Sequence, residues 1–220
     1  GAASNLTITN SHFDNNASHG LFAVEAGPVF EHLTITNTTF NGNGDKAFYL
    51  ERGTNISLDN VEANNTGGGN HASPHAIEFN LKNGATAGPV AVTNSQVIGS
   101  NGPGIVVRGG AFSPTVSGAT IIGNTVSGAT IGIGFQSQVD LGNVTVEENV
   151  LNDNDFAITN TVPSQTLVVG FDNEFNDNGS DTGGLVGSTV SLGIAGGQVN
   201  PTNDSAIEFE LTADRDLNTE

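Results

Sequence analysis

The sequence predicts an all-β fold, a single-stranded right-handed parallel β-helix of roughly eight coils with three short parallel sheets. Three observations predict it. An apolar pattern recurs along the chain, apolar and polar residues alternate within each copy as they do in strands, and asparagine recurs at one position of the repeat. No stretch has convincing helical periodicity. We therefore expect one domain over residues 1–220, as an excerpt of a longer protein.

The repeat has an apolar residue at its first, third and eighth positions and asparagine at its fifth. The clearest copies begin at Leu6, Leu33, Ile56 and Val90, and each continues into a short second strand. Looser copies follow, and a final strand is expected over residues 206–211. The separation of roughly 23 to 34 residues is typical of solenoids, in which stacked copies bury an apolar column that no single copy buries alone.

The repeated asparagine has a physical reason of its own. Asparagine tolerates the left-handed backbone of a sharp bend, and its side-chain amide can bond the equivalent amide one coil away. Such bonds satisfy polar groups that would be costly to bury. We therefore expect an internal ladder formed by Asn10, Asn37, Asn60, Asn94 and Asn124.

The net charge of the chain limits the kinds of molecule that it can bind. The chain carries 23 Asp and Glu against five Lys and Arg, a formal net charge of −18, so general binding to nucleic acid or to an anionic membrane is disfavoured. No apolar run approaches the roughly 20 residues of a membrane span, so no membrane insertion is expected. Without cysteine the chain has neither disulfides nor thiolate metal sites.

The repeats look like the parallel β-helix repeats of the pectate-lyase-like superfamily, which includes polygalacturonases and alginate epimerases, and the likeness covers almost the whole chain. The resemblance implies that the asparagine ladder lies between the second and third sheets. It also implies that stretches 21–24, 48–51, 77–80 and 105–108 form the first sheet, whose outer face carries the family's active sites.

The resemblance is incomplete at the level of enzyme motifs. Ser18-His19-Gly20 resembles an element of polygalacturonases, but the paired aspartates and the Arg-x-Lys element that accompany it there are missing. The Tyr-Gly-Phe-Asp-Pro-His signature of alginate epimerases is missing as well. The likeness therefore implies the fold more than any one activity.

Alternation along the strands predicts which residues of the first sheet face outward. One outward column is Phe22, Tyr49, Glu78 and Val106, the next is Val24, Glu51, Asn80 and Arg108, and His19, Lys46 and His75 align at the strand entries, with Arg52 and Lys82 just beyond. Four of the five Lys and Arg residues of this acidic chain thus fall on or beside one face. This concentration is the most informative functional feature of the sequence.

A face with cations, aromatic rings and carboxylates suits an acidic sugar polymer. Arg or Lys would bind uronate carboxylates, aromatic rings would give apolar surface to the sugar, and a carboxylate would hold a bridging cation. The residues expected to bind such a ligand are His19, Phe22, Glu51, Arg52 and Glu78.

If the same face is catalytic, the chemistry would be proton abstraction beside a neutralised uronate carboxylate, leading to elimination or epimerisation. The candidate catalytic residues are His75 or Lys46 as the base, Tyr49 as the proton donor and Arg108 as the charge stabiliser. A structural alternative uses the same residues. Lys46 would pair with Glu78, and Arg108 with Glu51 or Glu78, to balance charge at the surface.

No cofactor is certain from the sequence, and Ca²⁺ is the candidate. The loops 152–155 and 172–181 are rich in oxygen-bearing side chains but lack the spacing of an EF-hand, so solvated turns are the alternative interpretation. Asn-x-Ser/Thr sequons, among them Asn5 and Asn143, are glycan acceptors in a secretory setting or products of an Asn- and Thr-rich repeat.

These observations favour a noncatalytic extracellular β-helix module of a secreted or cell-surface protein, which serves as a scaffold or binds polysaccharide. The expected partners are a polysaccharide or cell-surface glycan and the flanking domains of the same polypeptide. The alternative is a polysaccharide lyase, epimerase or glycoside hydrolase acting on acidic glycans. A third interpretation is a stalk that only sets distance.

Overall fold

The structure is a computed structural model that describes residues 2–24, 27, 29–69, 73–82, 88–109, 115–136, 139–162, 166–170, 172–184 and 189–192. Within these ranges the regular structure is entirely β-strand, as predicted. The strands are β1 (Ala2–Thr9), β2 (Leu21–Ala23), β3 (Val29–Thr39), β4 (Phe48–Leu50), β5 (Gly53–Glu62), β6 (Ile77–Leu81), β7 (Val90–Thr93), β8 (Gln96–Ile98), β9 (Ile105–Gly109), β10 (Thr115–Ile122), β11 (Thr125–Ser127), β12 (Ile131–Gln136), β13 (Asp140–Glu147), β14 (Val150–Asn152), β15 (Phe156–Asn160), β16 (Thr166–Val169), β17 (Glu174–Asn176), β18 (Ser180–Gly184) and β19 (Thr189–Leu192).

The number of coils in the solenoid follows from the strands of one sheet. It has seven strands in the order β18-β15-β12-β9-β6-β4-β2, and every neighbouring pair in it is parallel. Each strand belongs to the next coil along the chain, so the described part makes about six turns, slightly fewer than the predicted eight coils. The strand predicted over residues 206–211 lies outside the described residues.

The other two faces of the solenoid share one ten-stranded sheet. In the early coils the long strands β3 and β5 pass from the second face to the third without a break. In later coils the same path is divided into β7 and β8, β10 and β11, or β13 and β14. The predicted three short sheets are therefore present as three faces, of which two are joined, and β16 with β19 forms a separate two-stranded piece.

Asparagines mark the bend between these two faces, as the sequence predicts. Asn10, Asn37, Asn60 and Asn94 have left-handed backbones, with φ of 49°, 49°, 50° and 50°. Their side chains are exposed, however, and do not form the predicted internal ladder. Asn60 Nδ2 donates to Asn37 Oδ1 at 2.7 Å on the surface. The bend needs the backbone freedom of asparagine, which does not require its amide to be buried.

The buried ladder lies one residue further along the chain. Asn124 Nδ2 donates to Asn149 Oδ1 at 2.9 Å, and Asn149 Nδ2 donates to Asn173 Oδ1 at 2.8 Å. Thr125 is in register with Gln96, so Asn124 aligns with Ser95 rather than with Asn94. Gly123, with φ of 68°, takes the bend position in that coil. The predicted alignment was wrong by one residue because glycine replaces asparagine at this bend.

A second bend carries a second set of amide bonds, which the sequence analysis missed. Asn16 Nδ2 donates to Asn43 Oδ1 at 2.9 Å, and Asn154 Nδ2 donates to Asn178 Oδ1 at 3.0 Å. Each of these four residues follows a residue with positive φ: Asn15, Gly42, Asp153 and Asp177. In this second ladder, each asparagine therefore follows a left-handed residue, as Asn124 and Asn149 do in the first, after Gly123 and Glu148.

Phenylalanines fill the core at the early coils. Phe40, Phe48 and Phe79 are fully buried, and their rings touch in series, with centroids 6.4 Å apart between the first two and 5.5 Å apart between the last two. Phe13 stacks on Phe40 at 5.2 Å. Inward-facing rings of successive coils thus form a continuous apolar column, which stabilises the stack and leaves the alternate side chains of each strand on the outer face.

Candidate functional site

The seven-stranded sheet has the predicted register. Phe22 pairs with Tyr49, Tyr49 with Glu78, and Glu78 with Val106, which confirms the first outward column. Asn80 pairs with Arg108 in the second column. Strand alternation therefore brings the sequence-predicted residues together on one outer face of β2, β4, β6 and β9.

The centre of this face is buried, although its side chains point away from the core. Six of the polar residues are buried: Lys46, Tyr49, Glu51, His75, Glu78 and Asn80. Phe22 remains 49% exposed, and the side chains of Arg108 and Lys82 remain 31% and 28% exposed. Opposite charges on adjacent coils meet across the short spacing of parallel strands, so they screen one another from solvent.

Glu78 is the centre of a group that we call the Glu78 cluster, formed by Lys46, His75, Glu78 and Arg108. Glu78 Oε2 lies 2.5 Å from His75 Nδ1 and 3.0 Å from Lys46 Nζ. Its Oε1 accepts hydrogen bonds from Arg108 Nε at 2.6 Å and Nη2 at 2.5 Å. Both oxygens of a carboxylate that is 0% exposed are therefore used by basic groups, from its own coil and from the coils on either side.

The pKa of Glu78 follows from these contacts. Burial by itself would raise the pKa of the carboxyl, but the hydrogen bond with His75 and the charges of His75, Arg108 and Lys46 together outweigh it. The pKa is lowered from 4.5 to about 2. Glu78 is thus a permanent anion at neutral pH, placed to hold cations rather than to exchange protons.

Tyr49 has a neighbouring network of its own. Its hydroxyl donates to Glu51 Oε1 at 2.5 Å and accepts from Asn80 Nδ2 at 2.9 Å, and Lys82 Nζ pairs with the same oxygen of Glu51. Burial, followed by the hydrogen bond to Glu51, raises the pKa of the Tyr49 phenol above its usual value of 10. The hydroxyl is already used by two partners, which disfavours the predicted role of proton donor.

His19 and Phe22 lie at the β2 edge of the same face. The Phe22 ring stacks on the Tyr49 ring at 4.8 Å and lies 4.0 Å from the imidazole of His19. His19 Nε2 lies 3.0 Å from Asp45 Oδ2. Arg52 is partly buried just beyond β4. Sequence reasoning did not select Asp45, because a carboxylate in a loop before a strand entry has no periodicity that would mark it.

The structural alternative raised from the sequence describes part of what is seen. Lys46 and Arg108 do pair with Glu78, while Glu51 is paired with Lys82. The difference lies in burial, since the Lys46–Glu78 pair is almost completely removed from solvent. These contacts join three successive coils, and removal of one partner would leave a buried charge unpaired, which costs more than the loss of an exposed pair.

The described part of the chain contains neither a cluster of metal-binding side chains nor a membrane-spanning helix. No three His, Asp or Glu residues within it are arranged to hold a metal ion. Among the described residues there is no helix that is both long enough and apolar enough to cross a membrane. His71, one of the five histidines, lies outside the described residues.

Comparison with known proteins gives one match. The family model described as "Right handed beta helix region" matches residues 1–205. No curated protein and no solved structure matches the chain. The match agrees with the parallel register of all three sheets and covers the whole of the candidate site.

Proposed function

Because the chain belongs to the right-handed β-helix family, we propose that it is an extracellular module of a secreted or cell-surface protein, which binds an acidic polysaccharide on the outer face of its seven-stranded sheet. The module is noncatalytic toward the polysaccharide backbone. A β-helix supports many activities, so the function of this chain depends on the side chains of this face and not on the family.

The observation that carries the proposal is the way in which Glu78 occupies the basic groups. Lys46, His75 and Arg108 all contact one buried carboxylate. A base must lie within reach of the substrate proton, and the side chains of the two candidate bases, Lys46 and His75, are only 9% and 10% exposed. The arrangement therefore supports a rigid binding face over proton abstraction.

The rim of the same face offers the groups that a uronate polymer needs. The exposed ring of Phe22 provides apolar surface, while Arg108 and Lys82 each keep part of their side chain exposed. Elsewhere the chain is strongly acidic, with a net charge of −18, so a polyanion would be attracted to this rim and repelled from other surfaces.

Isothermal titration with alginate and pectate oligosaccharides tests the proposal. Phe22→Ala is expected to weaken binding by about tenfold, the value of a lost aromatic contact of about 1.5 kcal/mol. Phe156→Ala is the matched control, because Phe156 is also exposed on this sheet but lies in β15, on a later coil. Affinity that is insensitive to Phe22→Ala, or no binding to either polymer, contradicts the proposal.

A second measurement separates binding from backbone chemistry. The chain is incubated with the same polymers, with and without Ca²⁺, and absorbance from unsaturated uronate products and changes in sugar composition are followed. We expect neither to change. Formation of unsaturated or epimerised sugars would replace this proposal with the lyase or epimerase alternative.

A further inference from the structure

Two loops of adjacent coils bring three reactive side chains together beside the Glu78 cluster. Ser18 and His19 precede β2, and Asp45 precedes β4. The backbone N–H of Asp45 donates to the carbonyl oxygen of Ser18 at 2.7 Å, and that of Gly20 donates to Lys46 at 2.9 Å. These bonds on both sides of His19 fix the two loops in register.

The side chains form a continuous hydrogen-bonded series. Ser18 Oγ lies 2.6 Å from His19 Nδ1, and His19 Nε2 lies 3.0 Å from Asp45 Oδ2. A carboxylate beside Nε2 favours the tautomer with the proton on that nitrogen. Nδ1 is then the acceptor for the hydroxyl proton of Ser18. Nucleophile, base and orienting acid therefore follow one another in the order found in serine hydrolases of unrelated folds, with the roles of the two ring nitrogens exchanged.

The surroundings allow a ligand to reach this series from solvent. Ser18 and His19 are partly exposed, whereas Asp45 is largely buried and contacts the imidazole on its inner side. The half-exposed ring of Phe22 lies 4.0 Å from the imidazole and gives apolar surface next to the hydroxyl. This combination suits a small acyl group attached to a larger alcohol.

We propose that Ser18, His19 and Asp45 form an acyl-transfer site that cleaves carboxylic esters with a small acyl group. Ser18 Oγ attacks the carbonyl carbon while His19 Nδ1 takes its proton, and the tetrahedral intermediate then expels the alcohol, which takes that proton. Water then attacks the acyl carbonyl carbon while His19 Nδ1 takes its proton, and cleavage of the bond to Ser18 Oγ releases the carboxylic acid and returns that proton to the serine oxygen. Asp45 is a positioning residue. The activity goes beyond polysaccharide binding and does not depend on it.

The chain contains an internal comparison. Ser11-His12 repeats the Ser-His dipeptide one bend earlier, where Ser11 is partly exposed like Ser18 and His12 is exposed. There Ser11 Oγ donates to the carbonyl oxygen of Thr9 at 2.9 Å, and His12 Nδ1 bonds Thr39 Oγ1 at 2.8 Å. The dipeptide alone therefore does not produce the arrangement, and Ser11 serves as a control serine for any reagent.

The first experiment uses the unmodified chain. It is treated with a fluorophosphonate probe, and the labelled residue is identified by mass spectrometry of the digested protein. We expect a covalent adduct on Ser18 and none on Ser11. Labelling of Ser18 no faster than that of Ser11 would falsify the proposal.

The second experiment follows hydrolysis of p-nitrophenyl acetate by variants whose melting temperatures match that of the parent. Ser18→Ala and His19→Ala are each expected to lower the rate by about 100-fold or more, whereas Ser11→Ala leaves it unchanged. Asp45→Asn is expected to slow both hydrolysis and probe labelling without changing KM. Hydrolysis that survives Ser18→Ala overturns the assignment. An Asp45→Asn variant whose melting temperature falls while its rates of hydrolysis and labelling stay unchanged overturns it as well.

Discussion

At the scale of single residues, Glu78 shows why a charge can be stable without solvent. Its two oxygens meet four basic nitrogen atoms from three residues, at distances between 2.5 and 3.0 Å. Desolvation of a carboxylate costs several kcal/mol, and only close and well-oriented partners offset it. The cost of removing one member should therefore exceed that of any exposed pair.

The free energy of unfolding at acid pH tests this conclusion. A carboxyl whose folded pKa is about 2 and whose unfolded pKa is 4.5 contributes stability that is fully present above pH 4.5. The contribution, on the order of 3 kcal/mol, is lost as the pH falls from 4.5 towards 2. Denaturant unfolding of the parent at several pH values should show this loss.

Glu78→Gln is the matching variant. We expect it to lower the free energy of unfolding at pH 7 by about 3–5 kcal/mol, since it leaves buried cations without their anion, and to remove most of the loss between pH 4.5 and 2. Glu174→Gln, at an exposed position of β17, is the control and should match the parent. An acid limb that is the same in Glu78→Gln and the parent contradicts the assignment.

At the scale of elements, the hydrogen bonds of the buried ladder join adjacent coils at the bend. Asn149 Oδ1 accepts from Asn124 Nδ2, and the two N–H groups of Asn149 Nδ2 are shared among Asn173 Oδ1 at 2.8 Å and the carbonyl oxygens of Ile121 and Glu147, at 2.9 Å each. One amide thus satisfies backbone and side-chain groups of neighbouring coils. No apolar residue of the same size can replace those bonds.

Asn149→Leu is expected to lower the free energy of unfolding by about 3 kcal/mol, since at least two buried polar groups lose their partners. Asn94→Gly is the control at the exposed bend, where glycine keeps the left-handed backbone, and should cost less than about 1 kcal/mol. Thermal or urea unfolding measures both. Equal losses in the two variants would count against the buried ladder.

The sequence was informative wherever periodicity alone decides the outcome. The repeat of Leu6-Ile8 and Leu33-Ile35 identified the parallel register, which pairs these residues across β1 and β3. It also brought Tyr49 and Glu78 onto one face. Their burial was not predictable, because it depends on charge pairs between coils and not on alternation within a strand.

At the scale of the whole molecule, acidity opposes the stacking of coils. Most of the acidic residues of this chain, whose formal net charge is −18, lie on coils that are about 4.8 Å from one another, so like charges on successive coils repel at short range. Hydrophobic burial and the two amide ladders offset this repulsion. The Glu78 cluster is the exception, since its charges are complementary.

Salt should therefore stabilise this protein. Between about 0.05 and 1 M NaCl the Debye length falls severalfold, and the repulsion among exposed carboxylates falls with it. Each 1 kcal/mol gained would raise Tm by about 2–4 °C for a chain of this size. A salt series in a calorimeter measures it, with Glu78→Gln compared in parallel to show that the cluster contributes little to the trend. A Tm that decreases with NaCl contradicts this prediction.

The Glu78 cluster also limits how the solenoid can change its length. Loss or duplication of one rung among the later coils, which are joined by amide ladders and apolar contacts, would leave equivalent surfaces to rejoin. Removal of the rung that contains β6 would leave Lys46 and Arg108 facing each other without an anion. Length variation among relatives should therefore be concentrated after β9, with the early rungs kept as a unit.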